Sequence, residues 1–181
     1  METIILSTDR LILRPLAETD APALFEIHAH PEVMRYWASP PWTEMAQAHE
    51  RVARSQEGFA TGNNFQFGIE RRTDQALIGI CSLFSFNIPS RRAEMGYALG
   101  RPFWGVGYMN EALRTLVDHA FTNLNLNRLE ADIDPRNHAS AKTLERLGFQ
   151  QEGHLRERWI VGDEISHTAF YGLLRREWES R

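Results

Sequence analysis

Residues Phe103–Leu113 read Phe-Trp-Gly-Val-Gly-Tyr-Met-Asn-Glu-Ala-Leu, a glycine-spaced turn that opens directly onto an amphipathic segment. The first turn of a helix carries unpaired backbone N–H groups and the positive end of the helix dipole. Such a turn can hold a phosphate without any basic side chain. Gly105 and Gly107 let the backbone approach an anion closely. Two phosphate chemistries fail on the surrounding residues. A nucleotide P-loop needs a Lys-Ser/Thr pair after its second glycine, and none follows here. A dinucleotide fingerprint needs a third glycine where Asn110 stands and a strand running straight into the loop. Here Arg101-Pro102-Phe103-Trp104 intervenes, and too little chain follows to complete a dinucleotide fold.

Other reactive side chains are sparse. Cys81 lies in Ile-Gly-Ile-Cys-Ser-Leu-Phe with no neighbouring charge to lower its pKa, so it reads as a buried structural thiol and not as an acyl-carrying nucleophile. His28 and His30 are the only close histidine pair. They precede Pro31 and have no matching third ligand, so no metal site is expected.

The elements that must position the loop follow from apolar spacing. Leu11–Pro15 predicts a strand. Thr19 or Asp20 predicts the cap of a helix with Pro22 in its first turn, ended by His30-Pro31. Tyr36–Trp42 reads as an irregular aromatic loop, and Thr43 as the cap of a loosely packed helix to about Ala60. Strands are predicted over Phe65–Ile69, Ala76–Asn87 and Ala93–Leu99. After the glycine loop, Met109, Leu113, Leu116, Val117, Ala120, Phe121 and Leu124 form the clearest helical stripe. Leu129–Ile133 predicts a strand, Ala139–Leu147 a helix closed by Gly148, and Phe149–Leu174 two strands around Gly162-Asp163. This mixed order does not suit an all-parallel doubly wound sheet.

The 181 residues suit one domain spanning 1–181, with no repeat or linker. Twenty basic against twenty-four acidic residues give a net charge of −4, which argues against nucleic-acid binding. No apolar run is long enough to span a membrane, and Met1–Arg10 lacks the basic and apolar regions of a secretory signal. With a single cysteine, a cytoplasmic protein is expected.

Three segments, Ala93–Leu99, Trp104–Leu113 and Asp134–Phe149, resemble the GNAT acetyltransferases. Thr8–Leu16 and His30–Tyr36 are similar to the branch holding the ribosomal-protein N-acetyltransferases of the RimJ/RimL type. The resemblance covers nearly the whole chain in order. It implies an α/β GNAT fold, a mixed, mostly antiparallel central sheet flanked by helices, and it implies acetyl-CoA as co-substrate. The pyrophosphate loop would begin at Trp104, in the place usually held by Gln or Arg. Gly107 falls in its fourth place and Met109 replaces a small residue in its sixth. Cofactor contacts are therefore expected from Trp104, Gly105, Val106, Gly107, Tyr108 and Met109, chiefly through backbone N–H groups. Tyr97, Ala98 and Leu99 would splay from the next strand and pair with the pantetheine amides, and Asn137 and Ser140 would meet the cofactor at the next helix.

Attack of an amine on a thioester needs a base for the amine, a donor to the carbonyl oxygen and an acid for the leaving thiolate. Glu94 corresponds to a glutamate that serves as base in some relatives; the alternative is a surface carboxylate paired with Arg91 or Arg92. Many relatives have an acidic tyrosine four residues before the Gly-Phe pair, where this chain has Leu144. The branch implies Ser140 in its stead; alternatively, Ser140 and Asn137 only serve the helix terminus. The oxyanion donor is expected to be a backbone N–H near Leu99. Tyr36, Trp37, Trp42, Phe84 and Phe86 could wall an amine pocket or simply pack, and Arg14, Arg35, Arg156 and Arg158 could steer an acidic substrate. The acceptor is expected to be a primary amine, a protein N-terminus or a small molecule, with a homodimer left open. A non-catalytic acyl-CoA-binding module is the alternative.

Overall fold

A computed structural model describes residues 4–181, so the first three residues of the N-terminal stretch lie outside the described residues. The strands are β1 (Leu6–Ser7), β2 (Leu11–Pro15), β3 (Phe65–Arg71), β4 (Leu77–Asn87), β5 (Arg92–Leu99), β6 (Arg128–Ile133), β7 (Gln150–Val161) and β8 (Glu164–Leu174). They form one sheet in the order β1-β2-β3-β4-β5-β6-β8-β7. Every neighbouring pair is antiparallel except β5 and β6. The helices are α1 (Ala21–Ala29), α2 (Pro31–Met34), α3 (Met45–Thr61), α4 (Tyr108–Thr122), α5 (His138–Leu147) and α6 (Arg175–Glu179).

A parallel pair requires a crossover, and α4 supplies it between β5 and β6. Its stripe of Ala112, Leu113, Leu116, Val117, Ala120 and Phe121 is buried against Leu11, Leu13, Phe67, Ile69, Leu83 and Leu129 of the sheet. Each large side chain so buried contributes about 1.5–3 kcal/mol. α1 and α3 cover the opposite face, where Leu24, Ile27 and Val52 pack with Leu16, Ile80 and Ala98. Strand alternation therefore sends Met95, Tyr97 and Leu99 of β5 toward α4, and Glu94, Gly96 and Ala98 toward α1 and α3. Cys81 is fully buried within β4, and burial pushes its thiol pKa up.

Three short elements, β1, α2 and α6, escape the apolar spacing. Pro31 ends α1 as expected, yet it also opens α2, because proline is tolerated where no helical N–H bond is needed. The His30 ring accepts the Glu32 N–H there. Glu44, not Thr43, is the N-cap residue of α3, and Gln47 Oε1 reaches back to accept both the Thr43 and the Glu44 N–H. Arg14 is not a free surface cation. It lies between Asp20 and Glu70, at 2.7 and 2.6 Å, and this ion triad ties β2 to β3 and to the start of α1.

His28 and His30 do separate jobs. The His28 ring stacks on Trp42 at 4.2 Å, its Nδ1–H donates to the Leu24 carbonyl, and its Nε2 is buried without a partner. Burial, with the nearby Arg51 charge, lowers its pKa to about 4. The unfolded chain, with an ordinary histidine pKa near 6.5, binds a proton between these values that the folded chain refuses. Stability is thus full above pH ~6.5 and falls as the pH drops toward 4, by about 3 kcal/mol from His28. His119, also depressed by burial, acts in the same direction. We expect a steep loss of Tm between pH 6.5 and 4, visibly flattened in His28→Phe. An equal slope in both proteins would contradict the assignment.

Candidate active site

β5 and β6 pair only over Arg92–Glu94 against Arg128–Glu130. Beyond that, β6 continues with β8 alone, and the far edge of β5 stands free from Met95 onward. The Gly100 N–H bonds back to Ile78 of β4. By alternation, the Tyr97 and Leu99 backbone groups point into the gap. The Leu99 carbonyl is already taken by the Trp104 indole N–H at 2.7 Å, which leaves the Leu99 N–H and both polar backbone groups of Tyr97.

Below the gap, Gly105 and Gly107 have φ of +77° and +87°, values that side chains beyond glycine rarely adopt. They turn the chain so that α4 begins at Tyr108 with its first N–H groups free. Glu111 in that first turn would repel a phosphate. Its carboxylate is occupied by the Thr8 hydroxyl, the Arg10 N–H and the Arg10 guanidinium, and these hold its pKa low against the opposing pull of burial. Arg10 also bonds the Val106 carbonyl and lies 4.6 Å from the centre of the Tyr108 ring. A cation thus sits beside the helix start.

A cavity of about 570 Å³ runs from this loop up the free edge, lined by Tyr97, Ala98, Leu99, Trp104, Gly105 and Met109, and on the α5 side by Asn137 and Ser140. Those eight expected contact residues are brought together. Val106, Gly107 and Tyr108 do not line it; the Val106 carbonyl and the Tyr108 ring face Arg10 instead. Leu144, in the place of the tyrosine acid, is core.

A second cavity, of about 630 Å³, opens on the α1/α3 face and is lined by Arg51, Asn64, Gln66, Phe84, Glu94 and Asp132 among others. Tyr36, Trp37, Tyr97, Asn137 and Ser140 line both cavities, so the two meet at the gap. There the Tyr97 hydroxyl and Ser140 Oγ lie 2.6 Å apart, and burial holds the Tyr97 pKa high. Ser140 is only 9% exposed. Asn137 Oδ1 caps α5 by accepting the Ser140 N–H at 3.2 Å, so capping and lining are one arrangement and not alternatives.

Glu94 is not the surface ion pair that Arg91 or Arg92 could have made. Arg92 binds Glu130 at 2.7 Å, and among the described residues Glu94 has no ion partner. Trp42 and Phe86 pack, on His28 and Phe65 respectively, while Tyr36, Trp37 and Phe84 line the second cavity. Arg35 and Arg136 both bind Glu164 and flank the Tyr36 ring, which braces the rim. Arg158 is held by Asp132. Sequence spacing missed Tyr97 as a side-chain partner of Ser140, and it missed Arg51. Neither lies in a motif, and both depend on which strand faces which helix.

The acetyltransferase (GNAT) domain family matches residues 10–150. The chain belongs to this family. It is 37% identical to the uncharacterized N-acetyltransferase p20 of Bacillus licheniformis, over 98% of this chain and 99% of that one. It is 25% identical to the [ribosomal protein uS5]-alanine N-acetyltransferase of Escherichia coli, over 96% of this chain and 92% of that one. The structure of spermidine N-acetyltransferase from Vibrio cholerae in complex with CoA and spermine superposes with a TM-score of 0.84 at 22% identity, covering 95% of this chain and 99% of that one. The chain is a GNAT-family N-acetyltransferase, an acyltransferase, and not merely an acyl-CoA-binding module. Like other GNAT enzymes it uses acetyl-CoA. The free β5 edge and the unpaired N–H groups of α4 fit the amides and pyrophosphate of that molecule. Among the described residues, no helix is long and apolar enough to cross a membrane.

Proposed function

We propose that residues 1–181 act as one cytoplasmic domain that acetylates a primary amine directly, with both substrates bound at once. The carrying observation is that the two cavities meet at Tyr97, Asn137 and Ser140. Acetyl-CoA enters on the loop side, along Tyr97–Leu99, with its pyrophosphate on the N–H groups of Val106–Met109. The amine enters from the side of Glu94.

Glu94 takes the proton the amine sheds, directly or through water, since among the described residues no cation is paired with it. Ser140 donates to the departing sulfur, and the Tyr97 hydroxyl, at 2.6 Å, resupplies or orients its proton. The Leu99 N–H, free of the sheet, serves the carbonyl oxygen. Buried Cys81 carries no acyl group. The cytoplasmic location is supported by the single cysteine and by the likeness to an enzyme of a ribosomal protein.

The test is initial-rate thiol release from acetyl-CoA with primary amines, with the product identified by mass. The expected result is an intersecting double-reciprocal pattern and no acetylated protein. Parallel lines, or a protein adduct formed without amine, would overturn direct transfer.

A further inference from the structure

The charges around the second cavity are mostly spoken for. Asp132 accepts from Arg158 at 2.9 Å and from the Thr168 hydroxyl at 2.8 Å. Asp134 is held by Arg136 at 2.6 Å. Two charged groups remain on that wall, Glu94 and Arg51. Among the described residues the Arg51 guanidinium has no hydrogen-bond acceptor and no carboxylate oxygen within 4.0 Å, Glu94 included. Its guanidinium lies 5.9 Å from the centre of the Trp42 ring, which supplies packing but no counter-charge.

Arg51 projects from the inner part of α3, half-buried, and the surroundings penalise its charge. A partly desolvated guanidinium without a partner costs stability and is rarely left so. Asn64, on the same wall, buries its Oδ1 without a donor. A ligand that brings an anion to Arg51 and an N–H or O–H to Asn64 satisfies both.

We propose that Arg51 receives a carboxylate of the acceptor, and that the acceptor is a small molecule bearing both a primary amine and a carboxylate. This rests on the reading that the second cavity takes the acceptor with its amine toward Glu94. One unpaired carboxylate and one unpaired guanidinium, more than 4.0 Å apart, complement a zwitterion end to end. About 630 Å³ suits a small molecule. A polyamine would instead meet Arg51 as a like charge. In the reaction, the amine nitrogen bonds the acetyl carbon and the carbon–sulfur bond breaks. One amine proton passes to Glu94 and on to water, and the sulfur takes a proton from Ser140, restored from solvent through Tyr97, and leaves as a thiol. The product is an N-acetylated acid.

The test compares kcat/KM for glycine, β-alanine, 4-aminobutyrate, 6-aminohexanoate, aspartate and glutamate with that of each one's carboxamide, and with spermidine and N-terminal peptides. The expected result is that at least one acid exceeds its own carboxamide by about tenfold or more. Arg51→Gln lowers that acid's kcat/KM to the carboxamide level, chiefly through KM, and Arg51→Lys restores part of it. Retained stabilisation of Arg51→Gln by acetyl-CoA shows that the variant is folded. Absence of any acid-over-amide preference in the wild type, its survival in Arg51→Gln, or turnover confined to peptides or spermidine would overturn the proposal. Glu94→Gln separates this failure from failure of the underlying reading. If that variant acetylates the best acceptor at the wild-type rate, Glu94 is not the base and the underlying reading fails on its own, whatever Arg51→Gln shows.

Discussion

Glu94→Gln is expected to lower kcat by about 10²–10⁴ at neutral pH, the range general-base catalysis spans. The change keeps the size and shape of the side chain and removes only its ability to take a proton. Glu94 sits on β5 at the last residue that β6 still pairs, so its backbone is fixed while the residue lines the second cavity. Its freedom from Arg92, which Glu130 engages, keeps it available. A second signature separates a lost base from a damaged pocket. Without a base the variant depends on amine that is already neutral, so its rate should climb about tenfold per pH unit until the acceptor's own pKa is reached. That pKa is near 8 for the α-amino group of a peptide and above 10 for an alkyl amine. The wild type should gain much less over the same range. A kcat within about threefold of wild type would return Glu94 to an ordinary surface carboxylate.

Gly107→Val should raise the KM for acetyl-CoA by about 10–100-fold while changing kcat little. A β-branched residue at φ +87° carries roughly 1–3 kcal/mol of backbone strain. The chain relieves it by turning the peptide that feeds α4, which moves the N–H groups from a phosphate. The added side chain also grows toward the Arg10 guanidinium, already 3.5 Å from where a Cβ would lie. Gly162→Ala provides the control. It too has positive φ, at +60°, but in the β7–β8 turn with open space around it. It should cost some stability and leave the KM for acetyl-CoA unchanged. Equal KM in Gly107→Val and wild type would remove the loop from the cofactor site.

Much of this is legible in the sequence. The α4 stripe and the Gly148 cap are read directly, because a 3.6-residue apolar period and a left-handed C-cap each have a local cause. The loop is legible because the anion site proposed there is made of backbone, and glycine spacing reports backbone. What stayed hidden is what the sheet order decides. No local pattern says that β5 and β6 part after Glu94, so none could pair Tyr97 with Ser140. Nothing in the spacing of α3 marks Arg51, and Arg14 reads as one of four arginines that could steer an acidic substrate; only the packing of α1 and α3 on the sheet exposes the first to a cavity and locks the second between two carboxylates.

The most direct test of the whole account is a crystal structure with coenzyme A bound. The account requires the pyrophosphate oxygens within about 3 Å of N–H groups between Val106 and Met109. The pantetheine must lie along Tyr97–Leu99 and the sulfur beside the Ser140 hydroxyl, where the two cavities meet. A pyrophosphate bound away from Gly105–Met109, or a sulfur turned away from Ser140 and Tyr97, would contradict it.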